Sequence, residues 1–401
     1  MNSSILLPAS SNVAILDRIY QHIVSQPIDD NVSLLGGQMG FALFEAYAQS
    51  IHKQSDDSRI WERITTSLAA IQTGELNHAF AGGISGVAWG FLHLMNHGLL
   101  PADDLDAQDI VADLDGPLFE MSMASLQSGD FDYLHGGLSA GLYYLERQPS
   151  PIIARYVAEM VDTLSATAIR FPNGDITWPF HDTFNRNPEG GTLYNPSLSH
   201  GTASIVSILS LFYERGYARQ QCAELIHGTL QWMESIRNQS GISVFPTMVL
   251  ENRQEKNSRL AWCYGDMGIA NAFWLCGQKL KNAHWQSIAL ETMLKTAQRR
   301  ELAETAVKDA GICHGAAGAA HIFRRFAQKT HHPLFTEAAD YWLQQTAQYT
   351  LPETDENVFL AFDQGALVPN LGILDGESSV GLVLLADLGV PTYWERFLLL
   401  S

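Results

Sequence analysis

The chain has 401 residues, of which 46% are hydrophobic and 17% charged, with glycine at 32 positions; this is the composition of a soluble globule that can bury a large core, as two or three ordinary domains or as one closed barrel or toroid. Lys plus Arg number 24 against 43 Asp plus Glu, a net charge of −19, which repels phosphate backbones and anionic lipid and argues against nucleic acid or a membrane surface as the main partner. A neutral or basic peptide is compatible with that charge.

The N-terminal stretch MNSSILLPASSNVAILDRIY has no basic leading region, and its apolar run is broken at Pro8. It does not read as a secretion signal. No apolar run approaches the eighteen or so residues that span a bilayer, so a cytoplasmic protein with no transmembrane segment is expected. Four cysteines, Cys222, Cys263, Cys276 and Cys313, are too few for a disulfide scaffold and read as free thiols or metal ligands.

Along the chain a short glycine motif followed by an apolar stretch recurs seven times, marked by Gly37, Gly83, Gly136, Gly201, Gly265, Gly315 and Gly376. Each interval has room for about two helices and their connections. The stretches after the motifs, such as IVSILSLF and GLVLLADL, are apolar almost all round, as in helices buried on most sides. Between them lie amphipathic segments: DRIYQHIVSQ, SRIWERITTSLAAIQ, IIARYVAEMVDTLSATAIR, QCAELIHGTLQWMESIR, HWQSIALETMLKTAQRREL and LFTEAADYWLQQTAQYT. Their apolar residues recur at helical spacing. The alternation predicts an all-α, double-layered α/α toroid of about seven inner and seven outer helices, forming one domain over residues 1–401. The glycine turns then enter the inner helices at one end of the ring and converge on a shared centre. In the first two motifs and the last, which carry no obvious reactive residue, the glycines are expected only to pack. Three long segments without helical periodicity, 171–200, 240–262 and 351–372, are expected as loops or short hairpins framing the same face.

The fifth motif, AWCYGDMG, carries Cys263, and the sixth, GICHGAAG, carries Cys313 and His314. Adjacent residues on a helix do not share a face, but on a turn both side chains can aim at one point. With Cys263 from the neighbouring turn they make a Cys, Cys, His set suited to Zn²⁺, with one position left open. Packing alone is the bland reading of a Cys-His pair. Cys276 lies too far along its helix to join, about 20 Å, and Cys222 reads as a small hydrophobe on an outer helix. His135 and His200 head motifs of their own and stay open as a fourth ligand of a closed, structural site. Two thiolates and a neutral imidazole cancel the charge of Zn²⁺, so a substrate thiol bound as thiolate is lowered in pKa while its sulfur stays nucleophilic.

The residues SRLAWCYGDMG, GICHGAAG, SLSHGTAS and DYLHGGLSAG resemble the motifs of the lanthipeptide (lantibiotic) cyclases, the LanC-like family, and the repeats extend the resemblance over nearly the whole chain. Met267 and Ser204 stand where the family usually has proline and glycine. The resemblance implies a zinc-dependent toroid that adds peptide cysteine thiols to dehydroalanine or dehydrobutyrine by Michael addition, forming (methyl)lanthionine thioether rings. Carried over by position, Cys263, Cys313 and His314 would hold the zinc, His200 would be the acid/base group and Asp132 the catalytic aspartate, and Arg259 and Tyr264 would line the active site. These roles fit the chemistry, because sulfur attack on the β-carbon leaves an enolate to be protonated at the α-carbon, and an imidazole titrating near neutrality is a good donor. Asp132 would accept the thiol proton or orient His200, and Arg259 would stabilise charge on the amide oxygen. A helix cap for Asp132, an ion pair for Arg259 and a buried hydroxyl for Tyr264 are the bland alternatives. The expected partners are a dehydrated precursor peptide and a separate dehydratase. Two other readings remain: addition of glutathione to dehydroamino acids, and a non-catalytic, zinc-stabilised toroid that binds a peptide.

Overall fold

The computed structural model describes residues 9–52, 57–101, 105–181, 191–250, 253–254 and 257–401. Pro8, used in reading the N-terminus, and residues 182–190, 251–252 and 255–256 of the first two long segments lie outside the described residues. Sixteen α-helices follow one another among them: α1 (Ala9–Ser25), α2 (Gln38–His52), α3 (Ser58–Ile71), α4 (Ile84–Asn96), α5 (Ala107–Ile110), α6 (Asp115–Gln127), α7 (Ala140–Glu146), α8 (Pro151–Thr167), α9 (Thr202–Arg215), α10 (Arg219–Ser235), α11 (Asp266–Lys279), α12 (Ala283–Thr296), α13 (Leu302–Thr305), α14 (Ala316–Thr330), α15 (Pro333–Gln348) and α16 (Glu377–Asp387). The seven inner helices are α2, α4, α7, α9, α11, α14 and α16, each entered through a glycine motif. Around the ring α2 packs on α4, α4 on α7, α7 on α9, α9 on α11 and α14 on α16, and α16 closes onto α2. Between α11 and α14 the link is the Arg325 to Asn271 hydrogen bond of 2.9 Å and the Trp274 and Phe326 rings at 5.4 Å. The fold is an α/α toroid.

Burial follows the sequence pattern. In α9 every residue from Thr202 to Phe212 is buried, whereas outer α8 buries only Ile153, Val157, Met160, Val161 and Leu164, one stripe at helical spacing. Helix α8 starts at Pro151 with the Ser150 side chain accepting from the Ile153 amide, a cap that contributes about 1 kcal/mol. The outer helix α6 falls in a stretch the amphipathic pattern had not singled out: its buried residues Asp115, Leu118, Ser122 and Leu126 are half polar. Short antiparallel strands lie in and beside the long segments: β1 (Ile169–Arg170) pairs with β2 (Ile176–Thr177), β3 (Leu193–Tyr194) joins β4 (Val249–Leu250) and β5 (Arg253–Gln254) in a three-stranded sheet linking the first two segments, and β6 (Leu360–Asp363) pairs with β7 (Ala366–Pro369).

The glycine turns share one local device. Six residues before the marker glycine stands Asn31, Asn77, Asp130, Asn195, Asp309 or Asn370, and its side-chain oxygen accepts from the amide two residues on, as in Asn195 to Ser197 at 2.9 Å and Asp309 to Gly311 at 3.2 Å. Its carbonyl accepts from the residue after the glycine, for example from Thr202 at 2.7 Å. The turn is so tight that a Cβ on Gly201 would lie 2.0 Å from the Asn195 carbonyl oxygen. In the fifth repeat Arg259 replaces the Asn or Asp, and a backbone bridge between Arg259 and Gly265 holds the turn instead.

Neighbouring turns are joined by backbone hydrogen bonds around the ring: Leu35 donates to Ala81 at 3.0 Å, Ala81 to Leu134 at 2.9 Å, Leu198 to Cys263 at 3.2 Å, Cys263 to Cys313 at 3.3 Å, Cys313 to Leu374 at 3.1 Å, and Ile373 back to Leu35 at 2.9 Å. Among the described residues one junction, between the third and fourth turns, lacks such a bond. There the Leu134 amide donates to the Asp132 carboxylate of its own turn at 2.7 Å. Residues 393–400 fill the bore beneath the turns: the Trp262 indole donates to the Leu398 carbonyl at 2.8 Å and the Asn271 amide to that of Leu399 at 3.0 Å.

Candidate functional site

The link from Cys263 to the Cys313 carbonyl sets the fifth and sixth turns side by side, and ligand atoms of Cys263, Cys313 and His314 all lie within 4.8 Å of one another. His135 and His200 do not join that group. Cys276 donates to the Val206 carbonyl at 3.4 Å and Cys222 to that of Tyr217 at 3.7 Å, and burial pushes both thiols up to about 12. They are packed thiols.

His314 is oriented from behind. Its Nε2 lies 3.3 Å from Asp309 Oδ2 and 3.3 Å from the Phe362 carbonyl on β6, while its Nδ1 faces inward, buried and without a hydrogen-bond partner. Asp309 is held in turn by the Phe362 amide at 2.8 Å. A carboxylate on the outer nitrogen orients the ring so that the inner one, on giving up its proton, presents its lone pair to the two sulfurs. That orphaned nitrogen beside two sulfurs fits a thiophilic dication.

Electrostatics point the same way. Burial opposes ionisation of the Cys263 thiol, but the neighbouring Cys313 and His314 side chains and the Arg259 charge outweigh it and hold Cys263 well below the usual thiol range. Cys313 is pushed the other way, first by its bond to Cys263 and then by burial, so the pair of thiols shares one proton. Although burial works against it, the Asp309 carboxylate and the neighbouring Cys263 sulfur push the His314 imidazole up to about 10. The Arg259 guanidinium donates to Cys263 Sγ at 3.0 Å. It stands in the fifth turn at the position that Asn or Asp takes in the other repeats. Its carbon also sits 5.9 Å from the Tyr264 ring centre.

Across the unbonded junction stand Asp132 and His200. Asp132 Oδ1 accepts from the Leu134 and His135 amides at 2.7 and 3.2 Å, and Oδ2 meets His200 Nδ1 at 2.6 Å. Capping its own turn and orienting the imidazole are thus done by different oxygens of one carboxylate. Burial would raise its pKa, but the His200 hydrogen bond and charge prevail and hold it below the ordinary carboxylate range. The His200 ring stacks on His135 at 5.7 Å and stands 5.9 Å from Tyr264, the residue after Cys263. A cavity of about 330 Å³ opens here, lined by Asp132, His135 and His200 together with Trp178, Phe180 and His181.

The last motif also brings a side chain to this group: Asp375 Oδ1, buried and without a hydrogen-bond partner, lies 3.6 Å from His314 Nδ1, and burial, reinforced by the nearby Cys263 charge, raises its pKa to about 6. Asp375 immediately precedes its marker glycine, as do His135, His200, Tyr264 and His314; aligning the repeats at that position is the signal that finds it. Asp309 emerges likewise as the sixth repeat's turn-starting residue.

The sequence matches the family model described as lanthionine synthetase C-like protein over residues 28–399. No curated protein matches it. Among solved structures the chain is similar to nisin cyclase, with a TM-score of 0.74 at 17% identity over 98% of this chain and 97% of that one. It is also similar to a possible member of GH105 family from Klebsiella pneumoniae subsp. pneumoniae, with a TM-score of 0.50 at 10% identity over 97% and 95% of the two chains. At such identities the likeness is one of fold.

Proposed function

Since the chain belongs to the lanthionine synthetase C-like family, we propose that it is a zinc-dependent lanthipeptide cyclase, adding cysteine thiols of a dehydrated precursor peptide to dehydroalanine or dehydrobutyrine to close thioether rings. The observation that carries this reading is the meeting of a Cys263, Cys313 and His314 donor group with an Asp132 and His200 acid/base pair at one end of the toroid. Cys263, Cys313 and His314 Nδ1 would hold the metal, with Asp309 fixing the imidazole. When bound, Zn²⁺ lowers the pKa of an incoming thiol and leaves its sulfur nucleophilic.

The protein's own groups then manage the protons. The substrate S–H proton passes to the Asp132 and His200 pair as sulfur bonds to the β-carbon. The C=C electron pair shifts toward the carbonyl as an enolate, and the His200 imidazolium returns a proton to the α-carbon. Atoms balance, and no mass is lost or gained. Asp132, held ionised, stabilises that imidazolium and aims its ring. Arg259 beside Cys263 tempers the charge collected on sulfur. The cavity beside His200, with its Trp178 and Phe180 walls, suits the flat dehydrated residue and is the natural approach for the electrophile. A family resemblance to a peptide cyclase also implies a separate dehydratase that prepares the substrate.

The test counts thiols. A dehydrated peptide with cysteines, incubated with enzyme and Zn²⁺, is expected to lose reactivity toward an alkylating reagent without change of mass, and only when both are present. A mass gain equal to glutathione, when that thiol is supplied, favours the intermolecular reading. Peptide binding with no thiol loss favours a non-catalytic scaffold.

A further inference from the structure

At the other end of the inner helices lies a second cluster that the cyclase reading does not use. His93 and His97 are one helical turn apart at the end of α4, and Glu146 ends α7 on the neighbouring inner helix. One ligand atom from each lies within 4.8 Å of the others, and with the Cys263 group this is one of two such metal-competent clusters among the described residues. Histidines at i and i+4 share a helix face, and a carboxylate from an adjacent helix completes a three-donor set.

The hydrogen bonding singles out one atom. His93 is fully buried, stacked on Trp89 with ring centres 4.5 Å apart. Its Nε2 lies 2.8 Å from the Tyr47 hydroxyl, whereas its Nδ1 is buried with no hydrogen-bond partner. That nitrogen faces Glu146 Oε1 at 3.6 Å, which is too long for a hydrogen bond. It is close to the separation of about 3.4 Å that a nitrogen and an oxygen take across a tetrahedral dication with bonds near 2.1 Å. Glu146 is aimed by Asn96, whose amide donates to Oε2 at 3.0 Å and leaves Oε1 turned to His93. The His97 ring is 4.6 Å from that of His93 and is stacked on Tyr393 at 4.3 Å. The partners that orient metal-binding imidazoles elsewhere, a hydroxyl or carboxylate on the far nitrogen and a packed ring face, are present here too.

We propose that His93, His97 and Glu146 form a second metal site, distinct from the Cys263 group, that takes a first-row divalent cation such as Zn²⁺. A neutral imidazole pair with one carboxylate leaves a net charge of +1 on such an ion, and its remaining position opens toward a cavity of about 620 Å³ whose wall includes His97, Glu146, Arg215 and Tyr393. Water or a small anion completes the coordination.

The experiment is a Co²⁺ titration of the metal-stripped full-length protein, read by absorption and by equivalents retained after desalting. Wild type is expected to bind two equivalents, one giving intense near-ultraviolet sulfur-to-cobalt charge transfer and one giving only weak visible bands. His97 is exposed, so His97→Ala, checked by circular dichroism, is expected to fold, to lose the second equivalent alone and to keep ring-forming activity unchanged. Glu146→Gln is expected to weaken the same equivalent. The proposal is overturned if wild type and His97→Ala bind equal numbers of equivalents. Absence of the charge-transfer band would instead count against the Cys263 group and the cyclase reading, so the two failures are separable.

Discussion

Two junctions of the ring of turns are built in opposite ways. Between the fifth and sixth turns the backbone is bonded directly, through the Trp262 and Cys263 amides to the Cys313 carbonyl at 3.0 and 3.3 Å, and the sulfurs and imidazole gather there. Between the third and fourth turns the Leu134 amide is turned inward onto Asp132. The two turns meet through side chains, Asp132 on His200, and a cavity opens beside them. Under the proposed function this is a division of labour: donor atoms that would have to stay at fixed separations sit on stitched backbone, while groups that would exchange protons with a substrate sit where the stitching is interrupted and space is available.

The contrast can be broken most severely from the stitched side. Cys313→Ala removes a sulfur and is expected to abolish the sulfur-to-metal charge-transfer band of the Co²⁺ protein. Ring formation should fall roughly a thousand-fold or more, the order expected when several kcal/mol of metal assistance is lost. On the open side, His200→Ala is expected to keep that band and peptide binding while slowing cyclisation by about 10² to 10⁴; loss of metal in this variant would show that the two junctions are not independent. The finest probe is Asp309→Asn, which leaves every donor atom in place but weakens the hold on His314 Nε2. Chelator competition should show metal affinity lowered by about 10 to 100-fold, with the His200 side unaffected.

Much of this was legible in the chain. The seven glycine motifs gave the toroid because close approach at the turns demands glycine and the helices behind them are apolar all round. Cys263, Cys313, His314 and His200 stood out as reactive residue types in the motifs, whereas Asp132 was pointed to only by the resemblance to the lanthipeptide cyclases. Helix α6 escaped because its buried face includes Asp115, which binds Arg147 through paired contacts at 2.9 Å, and Ser122; an apolar stripe is no guide where a helix buries a salt bridge. Asp375 and Asp309 escaped because an aspartate in a turn is usually a cap, and only register between repeats separates those facing the centre from the rest. The missing backbone bond at the third junction has no mark in residue type, since Asp130 and Asp132 both begin ordinary-looking turns. Arg259, reached through the resemblance, is marked independently by its position, as the single repeat without Asn or Asp there.

The Ile373 to Leu35 bond, which joins the seventh turn to the first, sets this ring apart from open solenoids. An open array tolerates a lost or added unit, because each unit leans only on its neighbours and the ends are covered by specialised caps. A circle has no ends to cover. Deleting one helix pair here would not yield a shorter working copy but an arc with two raw faces, so the number of units is under structural constraint even where their sequences drift apart.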